Sequence, residues 1–286
     1  MKTASRLKVE HPEYAGNRKN LTLKDSAELG DMALLLAQEQ APVSIGQGTR
    51  PRFAANSVLP QPIWSGTVPG YLQDNYWWAY VHPYAVRFWE RQWLVNCILF
   101  GNLVKLRDAA LDELGQSITG RTLQVACVYG DFSVRFAERI APGSTLDVVD
   151  VLPVQLNNLR RKLPASSPVS FHHSDSTALG FSDATFDQVV VFFLLHEQPD
   201  GVRQETLREA LRVTMPGGKL VVVDYHRPRW NSLRVLFEPL LRFLEPFAPD
   251  LWHHQISEWL PKGAQVKEIR KQTFFGGLYQ KVTITL

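Results

Sequence analysis

Residues 122–136 read TLQVACVYGDFSVRF, and this stretch decides the fold. Leu123 to Val128 is an apolar run of strand character. The loop Val128 to Ser133 follows, and then a helical pattern from Phe132 to Ile140 that stops at Ala141-Pro142-Gly143. A strand, a short loop and a helix in that order open a doubly wound α/β sheet. Its ligands sit outside the C-terminal strand ends, where strand order reverses. Such loops are glycine-rich because the turn is tight and the backbone must come close to the ligand. Here Gly130 is in place, but Ala126 and Val128 stand where two more glycines would serve the turn.

Strands and helices alternate downstream of the loop, as a mostly parallel sheet with helices on both faces requires. The pattern predicts strands over Thr145–Val151, Val169–His173, Gln188–Leu195 and Lys219–Tyr225, and helices over Gln155–Leu163 and Arg203–Thr214. QVVVFFLL (188–195) is apolar on both faces, as a central parallel strand is. Two further strands, near Val266–Phe274 and Tyr279–Leu286, flank Gly276-Gly277 and read as an antiparallel pair. The expected organisation is a flexible extension over residues 1–65 and a helical cap over 66–120, followed by an α/β core over 121–286. A proline-broken apolar helical insertion interrupts the core near 229–260. One short helix is expected inside the extension, near Leu23–Gln40.

Composition narrows the function classes. The chain has 286 residues, 45% of them apolar, which is enough for one large core. The net charge of +3 comes from dispersed basic residues, which argues against a dedicated nucleic-acid binder. Cys97 and Cys127 lie in apolar runs and read as free thiols of a reducing compartment. The longest apolar stretch, Trp93 to Val104, is interrupted by Asn96, Gly101 and Asn102 and is too short to span a bilayer. A cytoplasmic protein is expected, with room for peripheral attachment to the inner face of a bacterial membrane through an amphipathic surface in the insertion. Composition leaves a homo-oligomer open.

The cap is unusually aromatic, with eight rings in the nineteen residues Tyr71 to Trp89. After His82-Pro83, Val86, Trp89, Trp93 and Leu94 recur at helical spacing. Two readings stand: a helix whose rings pack on the core, or a lid over a flat, carbonyl-bearing ligand touched by Tyr80, His82 and Arg91. Asp150 ends the second strand, about 20 residues past the loop, where an acid grips ribose hydroxyls. Val151 follows it. Asp175 and Ser176 come just after the third strand, suited to an adenine amino group, although an Asp there also serves as a turn cap. Strand ends elsewhere offer Asp131 in the loop, His196 and Glu197 after the fourth strand, and Tyr225 and His226 at the end of the fifth. His196, Tyr225 and His226 are the catalytic candidates.

REALRVTMPGGKLVVVDYHRP (208–228) resembles a segment of class I S-adenosylmethionine (SAM) methyltransferases of the ubiquinone and menaquinone type. In those enzymes the first loop reads like VLEVGCGTG, so Gln124 replaces its acid, while Ala126 and Val128 replace two of its glycines. The altered loop VACVYGDFS, the cap YVHPYAVRFWERQWLVN and the strand end FFLLHE together resemble the rhodoquinone-biosynthesis family, over roughly residues 70–286. That resemblance implies a class I methyltransferase-like fold and conversion of ubiquinone to rhodoquinone, a ring methoxy group being exchanged for an amino group. SAM is implied as amino donor, with manganese assisting. It makes Gln124, Ala126, Val128, Tyr129, Gly130, Asp150, Val151, Asp175 and Ser176 the expected cofactor contacts. Asp131, His196 and Glu197 are the expected manganese ligands, a carboxylate and imidazole set suited to that ion. Two other readings remain beside it: a methyltransferase acting on a quinone or phenol precursor, and a non-catalytic scaffold in quinone biosynthesis.

Overall fold

A computed structural model describes residues 68–76, 86, 88–228 and 245–286. Its core is one seven-stranded sheet in the order β3-β2-β1-β4-β5-β7-β6. The strands are β1 (Arg121–Val125), β2 (Thr145–Asp150), β3 (Val169–His173), β4 (Phe186–Phe192), β5 (Thr214–Tyr225), β6 (Glu268–Phe274) and β7 (Tyr279–Thr285). β1 to β5 pair in parallel, and β7 runs antiparallel to both β5 and β6. This is the class I methyltransferase arrangement anticipated from the sequence.

The helices are α1 (Gly70–Tyr76), α2 (Gln92–Ile98), α3 (Leu103–Leu114), α4 (Phe132–Glu138), α5 (Pro153–Lys162), α6 (Asp200–Val213) and α7 (Asp250–His253). Val189, Val190 and Val191 of β4 and Leu220 to Val223 of β5 are fully buried, because helices cover both faces of the central strands. The PGG turn between α6 and the paired part of β5 has a steric cause. A Cβ on Gly218 would lie 2.7 Å from the Asp187 carbonyl oxygen and 2.8 Å from that of Met215, so only glycine fits.

Two expectations change. The first strand ends at Val125 rather than Val128, because Ala126 turns into the left-handed region at φ 69°. The cap helix expected to run on from Val86 breaks at Arg91, which is extended (ψ 114°), and α2 starts afresh at Gln92. The 1–65 extension, the Leu23–Gln40 helix and residues 229–244 of the insertion lie outside the described residues. The rest of the insertion packs inward: Leu251, Trp252, Ile256 and Trp259 are all buried in the main core. The described half therefore offers no apolar face to a membrane.

Candidate active site

At the C-terminal ends of β1, β2, β4 and β5 lies a cavity of ≈ 200 Å³. It sits between β1 and β4, where successive connections leave the sheet in opposite directions, the position the topology assigns to a ligand. Its floor is the altered loop. Ala126 keeps the left-handed turn a glycine would make, at a cost of about 1–2 kcal/mol for an L-residue. Ala126, Cys127, Val128 and Tyr129 all line the cavity.

Four side chains, Gln124, Gln155, Glu90 and Lys162, hold this loop in shape. The Gln124 side-chain amide donates to the Ala126 carbonyl (2.9 Å) and to Ser133 Oγ (2.8 Å), closing the turn from inside. Gln155 Nε2 donates to the Tyr129 hydroxyl (2.9 Å). From the cap, Glu90 Oε1 accepts from the Gly130 amide (3.2 Å) and from Lys162 Nζ (2.5 Å), while Lys162 also donates to the Gly130 carbonyl (2.9 Å). Gln124 and Gly130, expected as cofactor contacts, thus secure the loop and do not line the cavity.

Asp150 and Asp175 both line the cavity. Asp150 is buried in the cavity wall. Its Oδ2 accepts from the Cys127 amide and its Oδ1 from the Leu152 amide, both at 2.7 Å. Burial pushes its carboxyl up to about 6, against the pull of those amides. Asp175 also lines the cavity, with one oxygen used in a turn to Thr177 at 2.8 Å. Ser176 Oγ meets Thr206 Oγ1 (2.8 Å) and accepts from Gln198 (3.0 Å), and Val151 completes this wall.

Opposite stands a buried histidine cluster. Asp224, at the end of β5, accepts from the amides of Leu195 (2.8 Å), His196 (3.3 Å) and Tyr225 (2.7 Å). Its Oδ1 lies 3.0 Å from His196 Nδ1. His196 Nε2 lies 3.7 Å from Glu197 Oε1 and 4.0 Å from Glu245 Oε2, and all three residues line the cavity. Burial alone would lower the His196 pKa, but Asp224, Glu245 and Glu197 together push it up to about 9. At neutral pH it is an imidazolium, so it is poised to give a proton rather than take one. Burial raises the Glu245 carboxyl, with His196 opposing. Tyr225 stacks edge-on against His196 with ring centroids 5.0 Å apart, and its hydroxyl is held far above the usual phenol range by burial. Tyr225 is therefore a neutral wall group rather than a base.

The remaining candidates are elsewhere. His226 Nδ1 contacts the Gly277 carbonyl (2.8 Å), burial lowers its pKa, and it does not line the cavity, so its catalytic assignment falls. Arg91 is exposed, its guanidinium 5.6 Å from the Phe88 ring centroid, and it too is absent from the lining. Tyr80 and His82 lie outside the described residues. Asp131, at the start of α4, is held by Arg107 at 2.6 Å and Arg135 at 3.5 Å and is not in the lining. The expected manganese set of Asp131, His196 and Glu197 is therefore not assembled. Among the described residues no group of three His, Cys, Asp or Glu is arranged to hold a metal.

Sequence reasoning missed Asp224 as the partner of His196, although an acid at a strand end one residue before Tyr225 was visible. It also missed Glu90 and Glu245, for which local sequence carries no signal. Arg203 was missed as well. Fully buried, it donates to the carbonyls of Leu195 (3.0 Å), Gln198 (2.8 Å) and Phe247 (3.1 Å), joining the turn that carries His196 to the segment that carries Glu245.

The sheet order and the ligand cavity at its switch point define a methyltransferase-type α/β protein. The chain matches the model of the ubiE/COQ5 methyltransferase family over residues 93–280, and it belongs to that family. It is 34% identical over 157 residues to a demethylmenaquinone methyltransferase of Thermus thermophilus, covering 53% of this chain and 70% of that one. It is 25% identical over 188 residues to the Bacillus licheniformis protein of that name, covering 65% and 80%. Among solved structures, an O-methyltransferase family protein from Burkholderia thailandensis superposes with a TM-score of 0.51 at 17% identity, over 70% of this chain and 61% of that one. That likeness concerns the fold alone. No helix among the described residues is long and apolar enough to cross a membrane.

Proposed function

We propose that this protein replaces a ring methoxy group of ubiquinone with an amino group, giving rhodoquinone, and that SAM is the amino donor. The observation that carries this reading is the loop. It keeps the left-handed turn of a cofactor loop, yet at positions 126 and 128 it sets side chains into the cavity wall where the family pattern has glycine. Those side chains fill space beside the backbone that glycines leave free for a close ligand. A displaced methionine end follows, which turns a different group toward the quinone.

The residues fit SAM in two respects. Asp150 ends β2 inside the cavity, where a ribose grip belongs, and Asp175 lies beside it. The lining also carries Glu197 and Glu245, an acidic surround suited to a cationic ligand. SAM, held by Asp150 and Asp175, would supply the nitrogen that takes the place of the methoxy group; freeing that nitrogen breaks its bond to the SAM α-carbon, which would lose its proton, pass two electrons to the quinone ring and leave after hydrolysis as a 2-oxo acid. His196, held by Asp224 as an imidazolium, donates a proton to the departing methoxy oxygen, which leaves as methanol. Tyr225, Phe193 and Trp89 form ring walls for a flat quinone.

Family membership favours a second reading, methyl transfer to a quinone or phenol precursor. One incubation separates the two. Short-chain ubiquinone and SAM labelled with ¹⁵N at the α-amine should give an aminoquinone carrying the label. Unlabelled product refutes SAM as donor, and a product gaining a methyl group establishes the second reading. Absence of both SAM binding and product would leave the scaffold reading, which the buried His196–Asp224 pair opposes: such a pair is costly to desolvate in a site without chemistry.

A further inference from the structure

Large apolar side chains exposed to solvent are few among the described residues, and five of the seven fall between positions 88 and 104. They are Phe88 (47%), Trp93 (60%), Ile98 (39%), Phe100 (37%) and Val104 (46%). α2, which carries two of them, buries none of its residues. A concentration of this kind on an otherwise polar surface marks a place that is covered in use.

Two observations identify the cover. The first is charge. Arg91 and Lys105 are exposed at the margins of the patch. The only carboxylate in residues 88–106 is Glu90, which is turned away into its contacts with Lys162 and the Gly130 amide. The free charge of the segment is therefore wholly positive. The second is continuity. Ile98 is exposed and also lines the ligand cavity, together with Val95, Leu99 and Leu103 of the same segment. An apolar path leads from the surface patch into the site. An apolar face carrying Trp and Phe, edged with cations and open to an apolar cavity, has the chemistry of a surface that rests in the headgroup region of an anionic bilayer.

We infer that α2 and the start of α3 form a membrane-docking face for anionic lipid, through which a lipid-borne substrate enters the cavity. This assigns membrane contact to the cap; the described part of the insertion, residues 245–260, turns Leu251, Trp252, Ile256 and Trp259 into the core. Only the entry route rests on the proposed quinone chemistry; the docking itself does not.

The test is cosedimentation of the full-length protein with vesicles of phosphatidylcholine alone, or of phosphatidylcholine with about one-third phosphatidylglycerol. Binding is expected to the anionic vesicles. Trp93→Gln should weaken it about tenfold, the loss expected when one large ring stays in water. Arg91→Glu and Lys105→Glu should each weaken it about fivefold or more. Ile269→Gln, which removes an exposed apolar side chain of β6 instead, should leave it unchanged. An environment-sensitive thiol probe on Cys97, exposed on α2, should shift to the blue on binding. Unchanged melting temperatures establish that the variants are folded. The inference is overturned if the protein stays in the supernatant, if binding ignores the patch variants, or if ultracentrifugation shows the patch buried between two copies. Turnover of a water-soluble short-chain quinone needs no vesicle. Turnover without vesicle binding therefore sinks this inference and spares the proposed function, while vesicle binding without turnover does the reverse.

Discussion

Replacing Asp224 with asparagine tests the electrostatic core of the site. Asn keeps the shape and its one oxygen can still accept from the Leu195 and His196 amides, but its NH2 then replaces the oxygen that faced the Tyr225 amide, and the charge 3.0 Å from His196 Nδ1 is gone. With Asp224 present, the His196 pKa stands at about 9 instead of 6.5. That difference is worth roughly 3 kcal/mol between the two protonation states. Without the Asp224 charge, burial is opposed only by Glu245 and Glu197, and the group falls back toward its ordinary 6.5. At pH 8 the protonated fraction then falls by up to about 30-fold, and at pH 6 it is nearly restored. The assay is kcat/KM for quinone turnover from pH 5.5 to 10, with the His196 ring proton followed by NMR. In the wild type the alkaline limb should lie near pH 9. In Asp224→Asn it should move down by about two units, with activity recovering at pH 6. The same raised pKa stabilises the fold below about pH 6.5 and loses that contribution as pH rises through about 9. Denaturant midpoints should therefore decline across this window in the wild type and less so in the variant. A uniform loss of activity at every pH, or an alkaline limb that stays near 9, would refute the reasoning.

Three further outcomes are expected. Asp150→Asn should weaken SAM binding by about 1.5–3 kcal/mol, the worth of hydrogen bonds to a charged acceptor, read by calorimetry; unchanged affinity would remove Asp150 from the cofactor grip. Ala126→Gly should relieve about 1–2 kcal/mol of left-handed strain and lose about 0.4–1 to unfolded-chain entropy, raising the melting temperature by roughly 1–3 °C; a fall would mean that the alanine methyl packs where glycine leaves a hole. Arg203→Met should cost about 3–5 kcal/mol in urea unfolding, because two buried carbonyls and a half-buried one lose their donor; a change under 1 kcal/mol would show that the turn carrying His196 stands without it.

Much of the scaffold was legible in the sequence. β3 falls on the residues anticipated for it, and the other strands of the core fall within a few residues. Central parallel strands read as short continuous apolar runs bounded by turns, and QVVVFF could be little else. The loop was legible as altered but not as conserved in shape. Residue identity at position 126 says alanine, whereas the backbone says that the glycine turn persists. The cap was misread because helical spacing at Val86, Trp89 and Trp93 does not register a break at Arg91.

The sequence alone determined the sheet and its ligand end, and placed Asp150 and Asp175 there, because strand-end positions follow from hydrophobic period and loop spacing, which are local properties. Only the tertiary structure decided which acids and histidines share a cavity. His196 is joined to Asp224, 28 residues away, and lies near Glu245, 49 positions on, while Asp131 is taken by arginines and His226 by a carbonyl. Those partnerships depend on distances across the fold and on how much water each group loses, and neither quantity is written in a local pattern.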